Sequence, residues 1–272
     1  MADDPFEFNE TGVRGEVTYD TFGCNVFDGS PPTPDKVTPN VLIRREVHNG
    51  HRMTMPDGRR VDFWAFNDPL SPNARDRDDP FPAPLMRVRE GQIVHTHLKV
   101  KVNDHTIHHH GQEPTTFNDG VGHVSFEVKS EYTYQWKPTQ AGTFFYHCHK
   151  NTVLHFELGM YGLLIVDPPG GPGRLYRNGP TYDTEAFWIA DDVDPRWHDM
   201  ASDIGHDAGM CGEDVGLNIF EPKYFLISGA PAPTTLTDPR CMVRTTNRCH
   251  AGSHQSGAVG TVRPGMPARP EA

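Results

Sequence analysis

Histidine and cysteine are concentrated in two short runs of the chain, and both residue types bind transition metals. The first run is residues 104–111 (DHTIHHHG), and the second is residues 146–149 (YHCH), followed by His155 and Met160. Ten of the 16 histidines lie between residues 95 and 155. Burying so many imidazoles without a metal or hydrogen-bond partners would be costly. The clustering therefore predicts a metal site.

The spacing within each run predicts which side chains face together. In an extended strand, successive side chains point to opposite faces. His108 and His110 would then share one face, and His147 and His149 would share one face with Cys148 on the other. Two such strands side by side would present four imidazoles on one side of a sheet and a thiolate on the opposite side.

The thiolate side has the donors of an electron-transfer copper site. Such a site needs two imidazoles, a Cys thiolate and a weak, long axial Met. His105, Cys148, His155 and Met160 supply that set. Soft sulfur ligands favour copper over Mg²⁺ or Ca²⁺, and zinc would gain little from a thioether. We therefore predict copper at these four residues.

Other histidines have simpler interpretations. His95 and His97 are predicted to be ordinary sheet residues, and His109 to be exposed or adjacent to the ligands. The remaining ones are predicted to be surface residues: His48, His51, His123, His198, His206, His250 and His254.

Strand-like runs and abundant turn residues surround the ligands. Glycine and proline number 26 and 25 in 272 residues, which favours many short strands joined by turns. No stretch of 12 or more residues has helical periodicity. The pattern predicts an all-β fold, a sandwich or barrel of antiparallel sheet. The predicted strands are residues 40–44, 61–66, 85–89, 93–102, 124–128, 132–136, 143–146, 162–167, 185–190 and 224–227.

Composition changes along the chain predict three segments. Residues 1–168 form a copper-binding domain with an N-terminal extension, and a Pro/Gly-rich linker at 167–173 ends it. Residues 169–233 begin a second domain. Residues 234–272 contain no Phe, Tyr, Trp or Ile, so they are predicted to be a disordered tail.

Composition also excludes some classes of protein. The formal net charge of −11 argues against a nucleic-acid partner. No apolar stretch of 18 residues occurs, which argues against a membrane span. Five scattered cysteines do not make a disulfide framework. The first residues lack a signal peptide's basic and apolar regions, so we expect a cytoplasmic protein, or a periplasmic or secreted one whose signal peptide has been removed.

Several motifs together resemble a known family. Residues 107–111 (IHHHG), 118–121 (NDGV), 141–149 (AGTFFYHCH) and 159–162 (GMYG) look like the cupredoxin, or plastocyanin-like, domains of multicopper oxidases such as laccases. The resemblance is strong over residues 61–168 and weaker over 185–228, which look like the opening of a second cupredoxin domain. It implies a cupredoxin-like Greek-key β-sandwich or barrel.

The resemblance also implies copper ligands and a reaction. It assigns a type 1 copper to His105, Cys148, His155 and Met160, a type 2 ligand to His108, and type 3 ligands to His110, His147 and His149. An electron taken from a reducing small molecule or metal ion at the type 1 site would pass through Cys148 to its neighbours, where molecular oxygen is reduced to water. Asp119 matches an acidic residue that helps supply protons there; alternatively it is a turn residue in Asn-Asp-Gly.

The sequence departs from the family pattern in two ways. The spacing from Cys148 to His155 is longer than in laccases, and no second H-x-H or H-C-H pair follows the linker. The resemblance implies that the other half of the cluster comes from a second cupredoxin domain, often that of a neighbouring subunit in a trimer. We therefore expect a truncated second domain, a well-formed type 1 site, a weak cluster and a monomer or weak oligomer. If the missing ligands exist, His198, His206, His250 and His254 are the first candidates.

Three alternatives remain open. A copper nitrite reductase would use His105, His110 and His147 similarly but has an acidic residue in place of His108 and a small one in place of His149. A blue-copper electron-transfer or copper-binding module would need no complete cluster. A cupin would use His108, His110 and Glu113 but leaves Cys148 and Met160 unexplained.

Overall fold

The computed structural model describes seven stretches of the chain. They are residues 16–19, 25–28, 38–121, 125–210, 214–241, 249–256 and 259–263. Side chains are described for 38–121, 125–210 and 214–241.

The described residues are mainly β-strands, with short helices between some of them. The strands are β1 Glu16–Tyr19, β2 Asn25–Asp28, β3 Val41–Thr54, β4 Arg60–Asn67, β5 Ala83–Arg89, β6 Val94–Lys99, β7 His108–His110, β8 Glu127–Val128, β9 Glu131–Trp136, β10 Gly142–His147, β11 Tyr161–Asp167, β12 Thr184–Glu185, β13 Ile189–Val193, β14 Tyr224–Ile227, β15 Ala230–Pro231, β16 Cys249–Ser256 and β17 Val259–Arg263. The helices are α1 Ala74–Asp78, α2 Thr116–Asp119, α3 Thr152–Glu157 and α4 Pro195–Asp203. The prediction of an all-β, cupredoxin-like fold is confirmed. No helix among the described residues is long and apolar enough to cross a membrane.

Two four-stranded sheets enclose the main hydrophobic core. Their strand orders are β5-β11-β10-β7 and β4-β3-β6-β9. Strand β9 shows how the second sheet contributes: Tyr132, Tyr134 and Trp136, at alternate positions, are all buried in this core. Met86 of β5 and Leu164 of β11 face them from the other sheet. Because alternate side chains enter the space between the sheets, their burial stabilises the sandwich.

The short strand β7 lies at the edge of the first sheet, where it pairs antiparallel with β10. In the register, His108 is opposite His147, Tyr146 is opposite His109, and Phe145 is opposite His110. The two histidine-rich runs are therefore adjacent strands of one sheet, as the alternation argument requires.

A six-stranded sheet packs against the outside of this sandwich. Its strand order is β12-β16-β17-β13-β14-β15. Ile189 of β13 and Leu226 of β14 share a second apolar cluster with Phe63 of β4 and Leu163 of β11. The predicted second segment thus shares a buried core with the first. The three-segment division stays a prediction.

Some elements differ from the sequence predictions. Helix α4 has clear local signals, because the Asp194 side chain accepts from the Arg196 amide at 3.0 Å and Pro195 follows the N-cap. It spans only nine residues, too short for the 12-residue pattern we required. Strands β16 and β17 fall within the predicted disordered tail and pair with β12 and β13 through backbone bonds, which require no large apolar side chains. Residues 242–248, 257–258 and 264–272 of the predicted tail lie outside the described residues.

Candidate metal centres

One group of metal-binding atoms lies at the end of the sandwich, around the Cys148 thiol. Cys148 follows β10, and its Sγ lies 3.6 Å from Nδ1 of His105 and 3.4 Å from Nδ1 of His155. His105 comes from the loop before β7, and His155 from α3. We name these three residues, with Met160, the thiol site. All four side chains are fully buried.

These separations suit a single metal ion. Two ligand atoms that each lie about 2.0–2.3 Å from a metal, at an angle near 110°, are about 3.5 Å apart. Met160 is joined to Cys148 through the backbone, because the Cys148 amide donates to the Met160 carbonyl at 3.0 Å. A thiolate, two imidazoles and a neighbouring thioether are the donor set that copper prefers. The residues present therefore fit a copper ion.

Burial controls the protonation of the thiol site in the metal-free protein. Desolvation lowers the pKa of His155 to about 3 and that of His105 well below its usual range. The imidazoles are therefore neutral, as metal ligands must be. Burial also raises the pKa of the Cys148 thiol to about 11. Binding of a metal ion at neutral pH must therefore displace the thiol proton.

Neighbouring groups fix the ring orientations at the thiol site. Nε2 of His155 donates to the carbonyl of His206 at 3.0 Å, which leaves Nδ1 facing the sulfur. A hydrogen bond on one ring nitrogen selects the other as the metal ligand. The indole of Trp64 lies edge-on to both imidazoles, with ring centroids 5.9 Å from His105 and 5.3 Å from His155.

A second group of histidines lies on the opposite face of β7 and β10. Ligand atoms of His108, His110 and His147 all lie within 4.8 Å of one another, and Nδ1 of His110 is 3.2 Å from Nε2 of His147. We name these three the histidine face. The fourth predicted imidazole, His149, has its ring centroid 5.3 Å from that of His108 and 5.5 Å from that of His147. The structure thus brings all four predicted imidazoles to one side.

Hydrogen bonds also select the free nitrogens of the histidine face. Nδ1 of His147 donates to the Cys148 carbonyl at 2.9 Å, so Nε2 points toward His110. Burial lowers the pKa of His147 to about 3, and His110 is shifted in the same direction for the same reason. These neutral imidazoles, which offer free nitrogens on one face, suit a divalent or monovalent copper ion.

Asp119 contacts the histidine face through its main chain and its side chain. Nδ1 of His108 donates to the Asp119 carbonyl at 2.7 Å and lies 3.3 Å from the carboxylate. Both contacts engage Nδ1, which leaves Nε2 of His108 as the nitrogen available to a metal ion. The geometry therefore indicates a positioning role for Asp119, in addition to the predicted role in proton supply.

Of the two positions predicted for His109, exposed or adjacent to the ligands, the structure contradicts the exposed one. Its side chain is fully buried. Nε2 lies 3.0 Å from the hydroxyl of Thr96, which also accepts from the indole of Trp136 at 3.0 Å, and the two rings have centroids 4.4 Å apart. Strand alternation turns His109 away from His108 and His110, and the sheet opposite covers that side. His109 is therefore a buried histidine paired with Thr96.

A buried ion cluster beside the thiol site was missed from the sequence. Nζ of Lys150 lies 2.5 Å from Asp104, 3.1 Å from Glu127 and 3.0 Å from Asp207. The Lys150 side chain is 1% exposed. In the sequence, the cluster is indicated only by the positions of two of its residues. Asp104 precedes His105, and Lys150 follows the H-C-H motif.

Of the histidines predicted to be surface residues, His198 is buried, whereas the His206 side chain is partly exposed. His198 is buried against Phe63, with ring centroids 4.6 Å apart, and its Nδ1 donates to the Asp62 carbonyl at 2.7 Å. His206 contacts the thiol site through its carbonyl. Neither belongs to the histidine face, where they were considered as missing ligands. The side chains of His123, His250 and His254 lie outside the described residues.

The sequence of this chain is similar to those of copper-containing oxidases and reductases. Residues 73–171 match the family description "Multicopper oxidase". L-ascorbate oxidase of Cucumis sativus is 32% identical over 162 residues, which cover 55% of this chain and 24% of that protein. A copper-containing nitrite reductase of Neisseria meningitidis is 29% identical over 144 residues, covering 52% of this chain and 34% of that protein. The chain therefore spans between a quarter and about a third of the length of these relatives.

Solved structures share the fold. The blue copper oxidase from Nitrosomonas europaea superposes with a TM-score of 0.53 at 24% identity, covering 71% of this chain and 54% of that one. The multicopper oxidase mgLAC gives a TM-score of 0.52 at 22% identity, with 71% and 55% covered. The matched family segment contains every predicted ligand in both metal-binding groups.

Proposed function

Because residues 73–171 belong to the multicopper oxidase family, we propose that this chain takes part in copper-dependent oxidation of a reducing substrate, coupled to reduction of molecular oxygen. Copper held by these residues would supply one-electron redox chemistry. The thiol site would be the type 1 centre, and the histidine face with His149 would contribute to the type 2/type 3 cluster. Oxygen and a reducing small molecule or metal ion are the proposed substrates.

One observation carries this proposal. Cys148 belongs to the thiol site and the adjacent residue, His147, belongs to the histidine face. A single peptide link therefore joins the two donor sets, and the Cys148 carbonyl is itself the acceptor for His147 Nδ1 at 2.9 Å. Such a short covalent path would connect an electron-accepting site with an oxygen-reducing site.

The protein's own groups hold these donors in place. The His206 carbonyl and the Asp119 carbonyl each fix one imidazole, so the ligand nitrogens are oriented before any metal arrives. Burial of the thiol site excludes water from it. Rigid, oriented ligands are what a copper site requires from the protein.

We further propose that the histidine face is completed by groups from another domain or another copy of the chain. His110 is exposed at the sheet edge, while His147 is buried. A cluster of several coppers needs more imidazoles than these strands provide. A second domain or subunit placed over this edge would supply them.

A blue-copper electron-transfer module is the second candidate. In the described part of the chain, the thiol site is fully enclosed, whereas the histidine face stays open on one side. A protein that binds copper only at the thiol site would carry electrons without reducing oxygen.

Copper counting together with oxygen uptake distinguishes these functions. The proposed oxidase consumes oxygen with a phenol or a diamine, and the His108→Ala/His110→Ala variant does not. A copper content near one per chain without oxygen uptake in any oligomeric state favours the electron carrier. Nitrite turnover without oxygen consumption would instead support a nitrite reductase, the activity named for one of the relatives.

A further inference from the structure

A short segment lies over the outer side of the thiol site. It comprises residues 205–208, directly after the C-cap of α4, and we name it the strap. Its His206 carbonyl accepts the Nε2 hydrogen of His155 at 3.0 Å. His155 itself has no exposed surface. The ring edge that points away from Cys148 is therefore covered by backbone.

Asn151 ties the strap to the helix that carries His155. Its side-chain amide donates to the His206 carbonyl at 3.0 Å and to the Ala208 carbonyl at 2.9 Å. Asn151 has a φ of 39°, in the left-handed region where Asn is one of the favoured residues. Two strap carbonyls are thus held by one side chain that adjoins α3.

The buried ion cluster provides a second attachment. Asp207 of the strap lies 3.0 Å from Nζ of Lys150, which also contacts Asp104 and Glu127. Separating Asp207 from a buried ammonium would be unfavourable, because partly buried charges are costly to leave unpaired. Since Asp104 and Lys150 each adjoin a ligand-bearing segment, the cluster joins the strap to both sides of the thiol site.

The imidazole of His206 is the part of the strap that reaches solvent beside the site. Its Nε2 lies 3.1 Å from Asp207 and 3.5 Å from Asp104, and its side chain is 24% exposed. Its ring centroid is 6.3 Å from that of His155. A molecule outside the protein can touch this ring but cannot touch His155.

We infer that the strap seals the thiol site and that a reductant delivers electrons by contacting His206 rather than a ligand imidazole. The inference rests on the proposed function for its redox part. The reductant would be a one-electron donor that reacts without contacting a ligand residue directly. For such donors, the rate of electron transfer to the thiol site depends on the difference in reduction potential and on access to His206. It does not depend on how well the donor fits a pocket at His155.

Chemical labelling of the metal-free protein tests the seal. Diethyl pyrocarbonate modifies accessible imidazoles, and mass spectrometry of peptides locates the label. In the unaltered protein we expect labelling of His206 and none of His155. Asn151→Gly, which suits the backbone, and Asp207→Asn should each make His155 labelling at least about tenfold faster, since each removes contacts that hold the strap. Asp203→Asn, on an exposed side chain of α4, is the matched control and should change nothing.

The outcomes are separable. Labelling of His155 as fast as His206 in the unaltered protein, or no acceleration in either folded variant, would overturn the seal. A failure to bind copper would contradict the proposed function and leave this labelling pattern unchanged. In the copper-loaded protein, His206→Ala should retain the visible spectrum and slow reduction by ascorbate about tenfold, because the contact group is lost while the carbonyl remains. An unchanged reduction rate would overturn the assignment of His206.

Discussion

His147 and Cys148 are consecutive residues whose side chains belong to different metal-binding groups. The thiol of Cys148 lies 3.6 Å from His105, and Nε2 of His147 lies 3.2 Å from His110. The pleat of β10 produces this separation, because adjacent side chains point to opposite faces. A single peptide link therefore connects the two metal-binding groups.

Replacing the thiol should remove the blue colour of the copper-loaded protein. Cys148→Ser keeps the size of the side chain but loses the thiolate, which a copper–thiolate charge-transfer band requires. The visible spectrum after copper addition measures this. Cys241→Ser is the control, because Cys241 is the other described free cysteine and is only partly buried. A blue band that survives in Cys148→Ser would contradict the type 1 assignment.

The two metal-binding groups should be separable by mutation. His108→Ala/His110→Ala removes ligands from the histidine face and should leave the blue band in place. His155→Ala should weaken the blue band while the histidine face still binds copper. Copper content and EPR spectra of both variants measure the result. Equal loss of the blue band in both would show that the strands do not separate the sites.

Gly120 should be essential for the position of His108. It has a φ of 72°, and a Cβ there would lie 2.0 Å from the Ile107 carbonyl oxygen. Gly58→Ala is the matched control, since Gly58 has a φ of 86° and open space around it. Both variants carry the left-handed strain of about 1 kcal/mol, and only Gly120→Ala adds a backbone clash. We expect the free energy of unfolding in urea to fall by at least about 2 kcal/mol more in Gly120→Ala. Equal losses would argue against the close approach.

Asp191 should make the protein less stable as pH rises. It is buried, accepts a hydrogen bond from Tyr161, and has an Oδ1 with no hydrogen-bond partner among the described residues. Burial, with Glu157 nearby, raises the pKa of Asp191 well above 3.8. Above pH 3.8 the unfolded chain loses this proton while the folded protein retains it. The contribution of protonated Asp191 to stability is therefore fully present below pH 3.8. Above that pH, the free energy of unfolding falls by about 1.4 kcal/mol per pH unit until the pKa of Asp191 in the folded protein is passed.

Asp191→Asn removes this proton and retains an acceptor for the Tyr161 hydroxyl. We expect the variant to be more stable than the unaltered protein at pH 7 by at least about 1 kcal/mol, with a flatter dependence on pH. Urea unfolding at several pH values measures both quantities. Asp183→Asn, at an exposed position, is the control. A variant that is less stable at pH 7 would show that the charged carboxylate is stabilising.

Strand alternation and ligand chemistry predicted much of the candidate site. The relation of His108 to His147 follows from two H-x-H or H-C-H runs on adjacent strands, and the sequence contains both. The copper donor set around Cys148 follows from residue types. The pairing of β7 with β10 does not follow from the sequence of one chain. We expected the two strands to be adjacent because both carry histidines that could bind the same metal cluster.

Contacts between distant segments could not be predicted. Lys150 and Asp207 are 57 positions apart in the chain, and no local pattern links a lysine after the H-C-H motif to a loop after α4. Exposure of His109, one of its two predicted positions, was wrong because alternation gives the face of a side chain but not what covers that face. The strands in residues 249–263 also depend on pairing with β12 and β13, which composition does not reveal.

Stepwise copper loading, followed by visible absorption and EPR, tests the central claim most directly. We predict that copper bound at the thiol site gives an intense blue band with the narrow hyperfine splitting of a copper–thiolate centre, and that this signal persists in His108→Ala/His110→Ala. A copper-loaded protein with only ordinary, broadly split EPR signals and no blue band would contradict the account.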